Sequence, residues 1–359
     1  MRICYVMMST VRTGGTKVIF EFASRLAKKG HVVDVVTVRY RNDPDCQSHT
    51  WFKFPENVRV HYAPFNLFAA AANRYLKKIG LPRYTIRYAN RLAREIPESD
   101  IVVATYCMTA FAVTHAGIGT GVYYTQHYAP LVLENRGMKK IAEGTYSLPL
   151  RKIANCSWLK SKLEGYNDPI TVIYPAIDQE IFRPIPTKRV DDEFRVVALG
   201  KTIPWKGLRD LFDATLLVRR EIPRLKLILY GNEPTISAPV PFEYLARIED
   251  EELAELYASA DAVVTPSWYE SFPLPPLEAM ACGAPVICTP VGTEDYAVNR
   301  KNCLIVSPRN PKELASAILA LRNDPDLSRE IREEGILTAA KFRWEDSVNQ
   351  MESFFKSLP

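Results

Sequence analysis

The chain has 359 residues, of which 47% are hydrophobic and 24% are charged, and its formal net charge is +5. This length predicts two domains that each bury a core. The composition is typical of a globular protein and excludes disordered and fibrous classes. The mild positive charge suits an anionic substrate or an acidic membrane surface, and we expect no nucleic-acid partner.

Membrane and export signals are weak along the chain. The longest apolar run, residues 67–72, is far below the roughly 18 residues of a membrane span. The start MRICYVMM predicts a first strand rather than a signal peptide. The seven cysteines show no paired metal spacing; they are Cys4, Cys46, Cys107, Cys156, Cys282, Cys288 and Cys303. Their odd number, without an export signal, predicts reduced thiols in a cytoplasmic protein.

Strands and helices alternate throughout, which predicts parallel sheets in an α/β fold. After the first strand, a Gly-Gly turn leads into a helix with Val18, Phe22 and Leu26 on one face. The predicted strands of the first half are 2–8, 32–38, 58–62, 101–105 and 121–125. Those of the second half are 195–200, 226–230, 262–265, 286–289 and 304–306.

A proline-rich and then charged segment, residues 174–192, has the composition of a linker between the two halves. It divides the chain into a domain at 1–175 and a second at 190–342. A final helix begins near Trp344.

Residues 66–96 predict a helical stretch that is rich in cations. One interpretation is a solvated helix face. The alternative is a basic amphipathic surface, residues 74–94, that contacts an anionic membrane or a lipid-linked acceptor.

Two glutamates eight positions apart, Glu270 and Glu278, follow the strand 262–265 in WYESFPLPPLEAMACGAPVICTPVG. The prolines at 275–276 predict the start of a helix and Gly283 its end. One carboxylate is therefore expected at the mouth of a sheet and the other on the first turn of the next helix. Ligands of open α/β sheets bind at that edge, where a helix N-terminus favours phosphate.

This segment resembles the signature of retaining glycosyltransferases of family four, the glycosyl transferases group 1 domain. Further segments agree in the family's order: GGTKVIFEFASRLAKKGHVVDVVT, CSWLKSKL, VIYPAIDQEIFRP, ALGKTIPWKGLRDL, ELAELYASADAVVTPS and the Trp344-Glu345 helix. The resemblance implies a GT-B fold, in which two Rossmann-like parallel-sheet domains face each other across a cleft that holds the active site. It also implies that residues 343–359 cross back to the N-terminal, acceptor-side domain.

The resemblance implies a donor site for a nucleoside-diphosphate sugar on the C-terminal domain. Lys201 and Lys206 match family positions that hold the diphosphate, and cations there stabilise the charge of the leaving group. The family usually has arginine at the position of Lys201, so this contact loses the bidentate fork. Glu278 matches the ribose contact, and Glu270 the residue that contacts the transferred sugar.

Pro273 and the loop at Gly231 bear on donor specificity. The family commonly has glycine where this chain has Pro273, which has no N–H; the amide of Leu274 is the neighbouring candidate. Gly231 ends a strand where the family's nucleotide loop lies.

On the N-terminal domain, the resemblance places Gly14, Gly15 and His127 in the cleft. Glycines at a strand-to-helix turn allow close backbone approach to a ligand, although a plain tight turn is the alternative. His127 follows a parallel strand, where a histidine near the sugar or a structural histidine are both consistent with the sequence. We expect no bound metal and no cofactor.

The predicted function is transfer of a sugar, with retention of configuration, to the hydroxyl of a glycan, lipid-linked or small-molecule acceptor in glycan, glycolipid or cell-envelope polysaccharide synthesis. The predicted location is cytoplasmic or peripheral on the inner face of the membrane. Two rivals remain: a GT-B nucleotide-sugar 2-epimerase and a non-catalytic nucleotide-sugar-binding subunit.

Overall fold

The computed structural model describes residues 1–40, 49–65, 83–166, 169–186 and 191–359. The predictions for Cys46 and for the part of the basic region at 66–82 lie outside these residues. The chain divides into two compact units: Met1–Pro175 together with Glu345–Pro359, and Ala176–Trp344. The residues at 176–186, which have a linker composition, belong to the second unit, where Phe182 is buried.

In its described residues, the first unit has a seven-stranded parallel sheet in the order β3-β2-β1-β4-β5-β6-β7. Its strands are β1 (Arg2–Val6), β2 (Val32–Tyr40), β3 (Val58–Phe65), β4 (Ile101–Ala104), β5 (Thr120–Thr125), β6 (Arg151–Ala154) and β7 (Ile170–Val172). Its helices are α1 (Gly14–Lys28), α2 (Arg83–Glu95), α3 (Cys107–Ala116), α4 (Ala129–Val132), α5 (Arg136–Thr145) and α6 (Ser157–Leu163).

The second unit repeats this plan in the part of the chain that the structure describes, with a six-stranded parallel sheet in the order β10-β9-β8-β11-β12-β13. Its strands are β8 (Phe194–Leu199), β9 (Leu225–Gly231), β10 (Glu243–Ala246), β11 (Ala262–Thr265), β12 (Val286–Cys288) and β13 (Leu304–Ile305). Its helices are α7 (Leu208–Val218), α8 (Asp250–Ala258), α9 (Leu274–Ala281), α10 (Pro311–Asn323) and α11 (Pro325–Ala339). The last helix, α12 (Trp344–Lys356), lies almost entirely in the first unit.

Both sheets have central strands that are buried on both faces, as continuous apolar runs predict. Ile3, Val102 and Val122 are fully buried in the first sheet, and Val196 and Val286 in the second. The ten predicted strands are confirmed, and the sequence missed the short strands β6, β7 and β10.

The core face of α1 is the predicted one, because Val18, Phe22 and Leu26 are all buried. The Phe22 ring packs edge-on against Tyr124 of β5 at 5.6 Å between ring centroids. The six described cysteines are buried and free, which agrees with their role as small core residues. Two parallel-sheet α/β units of this kind are the GT-B fold.

Candidate donor site at the carboxyl edge of the second sheet

The strand order of the second sheet creates a place for a ligand. The chain runs from β8 outward to β9 and β10, and then returns to β11 on the other side of β8. The connections that follow β8 and β11 therefore lead in opposite directions along the sheet, which makes the ends of these two strands a topological switch point, where open α/β sheets bind ligands. Lys201 and Lys206 lie in the first of these loops, and Glu270 lies in the second.

The structure joins two of the predicted residues directly. Lys206 Nζ donates to Glu270 Oε1 at 2.5 Å, and both side chains are partly buried, with 25% and 18% of their surface exposed. Lys206 ends a 3-10 turn, Pro204–Lys206, which Gly207 closes in the left-handed region at φ 68°. A Cβ at Gly207 would lie 2.0 Å from the carbonyl oxygen of Pro266, so the two loops approach each other where only glycine fits.

Lys201 is held by a different set of groups. Its ammonium lies 2.7 Å from Glu233 Oε1 and donates to Asn232 Oδ1 at 3.1 Å. Thr202 Oγ1 donates to the other carboxylate oxygen of Glu233 at 2.9 Å, and the Glu233 N–H donates to the Tyr244 hydroxyl at 2.7 Å. The hydrogen bond from Lys201 is the largest cause of a lowered pKa at Glu233. Two cations thus stand at the sheet edge, each beside one carboxylate.

The loop that follows β12 holds the backbone around Glu270 in place. The Glu270 N–H donates to the Val291 carbonyl at 3.2 Å. A Cβ at Gly292 would lie 2.4 Å from the Glu270 carbonyl oxygen, and Gly292 has a φ of 88°. This close approach requires glycine and sets the position of the carboxylate.

Glu278 lies on α9 and is buried, with 6% of its surface exposed. Burial is the main cause of the raised pKa of Tyr230, Tyr257 and Cys282, and the charge of Glu278 raises each of these pKa values further. All three side chains therefore lie close enough to Glu278 to interact with its charge. The prediction that Glu278 lies on the first turn is wrong, because α9 begins at Leu274 and Glu278 is its fifth residue.

The start of α9 explains what the neighbouring prolines do. Pro273 is the N-cap and accepts a hydrogen bond from the Tyr296 hydroxyl through its carbonyl at 3.0 Å. The second and third helical residues are also prolines. Of the first four helical residues, Leu274 and Leu277 are therefore the two that carry an N–H. The backbone N–H of Leu274 is the first of these, at the very start of the helix.

Gly231 ends β9 at φ 151°, beside the end of β8. A Cβ there would lie 3.2 Å from the Gly200 carbonyl oxygen and 3.4 Å from the Tyr244 hydroxyl. The two glycines allow the ends of β8 and β9 to lie close together beneath the loop that holds Lys201.

In the first unit, Gly14 and Gly15 are the first two residues of α1 rather than part of a loop, since Thr13 is the N-cap. Both are exposed. A Cβ at Gly15 would lie 3.4 Å from Gln126 Oε1, whereas one at Gly14 would meet nothing within 4 Å. The start of α1 and the segment just after β5 therefore meet at Gly15.

His127 lies just past β5, as predicted, and its ring packs beside Tyr106 at 5.3 Å between centroids. The segment that carries it is supported by stacked tyrosines. The Tyr146 ring lies parallel to Tyr128 at 5.7 Å and to Tyr123 at 5.9 Å, and its hydroxyl accepts from the Ala129 N–H at 3.0 Å.

The described residues contain no group of three or more histidine, cysteine, aspartate or glutamate side chains that could hold a metal ion. Among the same residues, no helix is both long and apolar enough to span a bilayer.

Comparison with known proteins identifies the family. The model of Glycosyltransferase Family 4 matches residues 12–181, and that of Glycosyl transferases group 1 matches residues 193–324. The chain belongs to the family-four glycosyltransferases.

Two relatives illustrate how far this family-four chain can be compared. It is 39% identical over 140 residues to the D-inositol 3-phosphate glycosyltransferase of Corynebacterium jeikeium, covering 39% of this chain and 32% of the relative. It is 36% identical over 172 residues to the O-antigen chain mannosyltransferase B of Escherichia coli, covering 45% of each chain. The matched region thus spans between a third and a half of these relatives.

Among solved structures, Anabaena HepE in complex with UDP-glucose superposes on this family-four chain with a TM-score of 0.76. The identity is 17%, and the alignment covers 100% of both chains. At this level of identity, the structural similarity shows the fold alone.

Several residues at the site of this family-four protein were missed by the sequence analysis. Glu233 and Thr202 were passed over because a charged or polar loop residue gives no periodic signal. Trp268 and Asp210, whose side chains join through the indole N–H at 2.7 Å, are 58 positions apart. Such a long-range contact leaves no local pattern.

Proposed function

We propose that this protein is a glycosyltransferase that moves a sugar from a nucleoside-diphosphate sugar to an acceptor hydroxyl with retention of anomeric configuration. The observation that supports it best is the Lys206–Glu270 contact at the switch point of the second sheet. It sets a cation for a leaving diphosphate beside a carboxylate for a sugar.

The chemistry follows from the charges that develop. The acceptor oxygen forms a bond to the anomeric carbon while the bond from that carbon to the diphosphate oxygen breaks. The electron pair stays on the diphosphate, whose oxygen takes the acceptor proton on the same face of the sugar. Lys201 and Lys206 stabilise the negative charge that accumulates there.

The remaining residues bind and orient the donor. In this proposal, Glu270 contacts hydroxyls of the transferred sugar and stabilises positive character at the anomeric carbon. Glu278 accepts hydrogen bonds from the ribose hydroxyls. The N–H of Leu274 contacts the diphosphate or sugar, and Gly231 leaves room for the nucleotide.

In this proposal the first unit contributes Gly14 and Gly15 to donor binding, His127 near the transferred sugar, and the surface that binds the acceptor. The acceptor is a glycan, a lipid-linked sugar or a small molecule, and the basic region at 74–94 contacts an anionic membrane. No metal or cofactor takes part, because the two lysines supply the positive charge. Two of the similar proteins carry names for transfer to an inositol phosphate and for mannosyl transfer to an O-antigen chain, which makes these two acceptor classes the first to try.

The test is donor binding and turnover with matched variants. UDP-, GDP-, ADP-, CMP- and dTDP-sugars are screened by thermal shift, because a ligand that binds the folded state raises its melting temperature. With the best donor and a panel of acceptors, we expect a new glycoside and free nucleoside diphosphate. Lys206→Ala is expected to lower kcat by about a hundredfold, the effect of removing one transition-state donor.

Lys226→Ala is the control, because Lys226 also pairs with a carboxylate, Glu243 at 2.8 Å, but lies near the start of β9. It is expected to turn over donor like the wild type. An epimerised nucleotide sugar that forms without acceptor and without free nucleotide would instead identify an epimerase. Binding without turnover on every acceptor would identify a non-catalytic subunit.

A further inference from the structure

We propose that Trp268, held by Asp210 and Arg309, is a positioning residue that keeps Lys206 beside Glu270. This inference rests on the proposed function. It concerns three loops at the carboxyl edge of the second sheet, those that follow β8, β11 and β13.

The indole of Trp268 is fixed on two sides. Its Nε1–H donates to Asp210 Oδ2 at 2.7 Å, so the ring is tied to the first turn of α7. The Arg309 guanidinium lies over the ring at 3.9 Å from its centroid. A hydrogen bond to a carboxylate and a cation over an aromatic face are both stronger than neutral contacts. Together they fix where the ring lies and how it is turned.

The backbone of the same residue joins the two loops that carry the predicted site. The Trp268 N–H donates to the Trp205 carbonyl at 2.7 Å. Next to this bond, the Trp205 and Tyr269 rings stack at 5.9 Å between centroids with an angle of 13° between their planes.

These contacts lie directly before the ion pair in both loops. Trp205 meets Trp268 and Tyr269, and the next residue of each loop forms the Lys206–Glu270 contact. A slip of one loop past the other would separate the ammonium from the carboxylate. By fixing Trp268, Asp210 and Arg309 therefore hold the two loops in the register at which the pair forms.

The exposure of these groups indicates positioning rather than a role in the core. Trp268, Asp210 and Tyr269 are each partly exposed, whereas Leu211 and Ala214 on α7 are fully buried. The apolar side of α7 thus anchors the helix to the sheet without Trp268. Its polar side then offers Asp210 to the indole.

The experiment compares Asp210→Leu, Asp210→Asn and Trp268→Phe in the full-length protein, with transfer measured as free nucleoside diphosphate and as glycoside. Asparagine keeps an oxygen that accepts from the indole, and leucine does not. Phenylalanine keeps a ring for Arg309 but has no N–H. We expect Asp210→Leu and Trp268→Phe to lower kcat about tenfold with a smaller change in the donor KM, and Asp210→Asn to retain most of kcat.

A double variant separates positioning from loss of folding. In a Lys206→Ala protein, Asp210→Leu is expected to cause no further loss of kcat, since the contacts of Trp268 with Asp210 and Arg309 act through Lys206. Melting temperatures are measured for every variant, and rates are compared per folded protein. An additive loss in the double variant, or an unchanged kcat in both Asp210→Leu and Trp268→Phe, overturns the inference. A wild-type protein that transfers no sugar overturns the proposed function instead.

Discussion

At the scale of single residues, each of the two predicted phosphate-binding lysines forms an ion pair with a carboxylate of the same chain. Lys206 contacts Glu270, and Lys201 contacts Glu233. A diphosphate that binds here must compete with these carboxylates or share the lysines with them. Glu233 is the more direct competitor, because the side chain of Thr202 and the hydroxyl of Tyr244 hold it in place.

Glu233→Gln is therefore expected to tighten the binding of a nucleoside diphosphate. Glutamine keeps an oxygen for Thr202 but removes the negative charge that competes for Lys201. A partly exposed ion pair contributes up to about 1 kcal/mol, which corresponds to roughly a fivefold change in Kd. The measurement is calorimetric titration with UDP and GDP.

The control for this prediction is Glu243→Gln at the start of β10, which neutralises the nearer of the two carboxylates beside Lys226. It is expected to leave the Kd unchanged. If Glu233→Gln weakens binding, Glu233 orients Lys201 for the diphosphate rather than competing with it.

At the scale of elements, tight loops after parallel strands position the site. Gly207 links the 3-10 turn of Lys206 to α7 and approaches the Pro266 carbonyl closely. Position 207 requires glycine for two reasons, because its backbone is left-handed and because a Cβ would collide with the Pro266 carbonyl. The sequence motif PWKGL contains the glycine, but nothing in the motif reveals that the loop after β11 lies against it.

Gly207→Ala is expected to destabilise the second unit and to reduce donor binding. Gly117→Ala is the matched variant, because Gly117 has a similar left-handed conformation, φ 61° and ψ 25°, with nothing within 4 Å of an added Cβ. It should cost about 1–2 kcal/mol of conformational strain. Gly207→Ala should cost clearly more, since its Cβ meets backbone, and urea unfolding of both variants measures the difference. Equal losses would show that the loops move apart freely.

At the scale of the whole molecule, the chain leaves the first unit after Pro175 and returns to it at Glu345. The returning helix α12 buries Val348, Met351 and Phe355. Its carboxylate Glu352 lies beside the ammonium groups of Lys29 and Lys356 and the imidazole of His31. Their hydrogen bonds, that from Lys29 first, lower the pKa of Glu352 to about 2.

The stabilisation from Glu352 is expected to depend on pH. The folded pKa lies below the unfolded value of about 4.3. The contribution is therefore present above that value and disappears as the pH falls toward about 2. Glu352→Gln should lower the hydrogen-exchange protection of α1 at pH 7, with the protection of α10 in the second unit unchanged.

The same comparison at lower pH tests the sign. The difference between Glu352→Gln and the wild type in urea unfolding should stay constant down to about pH 5 and narrow as the pH falls from there toward about 2. The exposed Glu56 supplies the control, and Glu56→Gln should match the wild type at every pH. A difference that stays constant with pH would assign the effect to packing rather than charge.

The sequence by itself determined the α/β class and the positions of ten strands, because apolar runs and glycine turns follow from local backbone geometry. The family followed from the resemblance of its motifs. The sequence also brought Lys206 and Glu270 to one edge, since parallel strands end on the same side of a sheet. The predicted start of α9, at Pro275, lies one residue after the observed start at Leu274. Prolines are compatible with several positions in a first turn, so the sequence does not fix the first helical residue.

Only the tertiary structure decided which side chains touch. The partners of Lys201, the contacts of Trp268 with Asp210 and Arg309, and those of Glu352 with Lys29 and His31 join residues that are 31 to 323 positions apart in the chain. Such contacts depend on how loops and helices from distant segments pack, and no local spacing encodes that packing. The physical reason is that hydrogen bonds and ion pairs act over a few ångströms in space, whatever the distance along the chain.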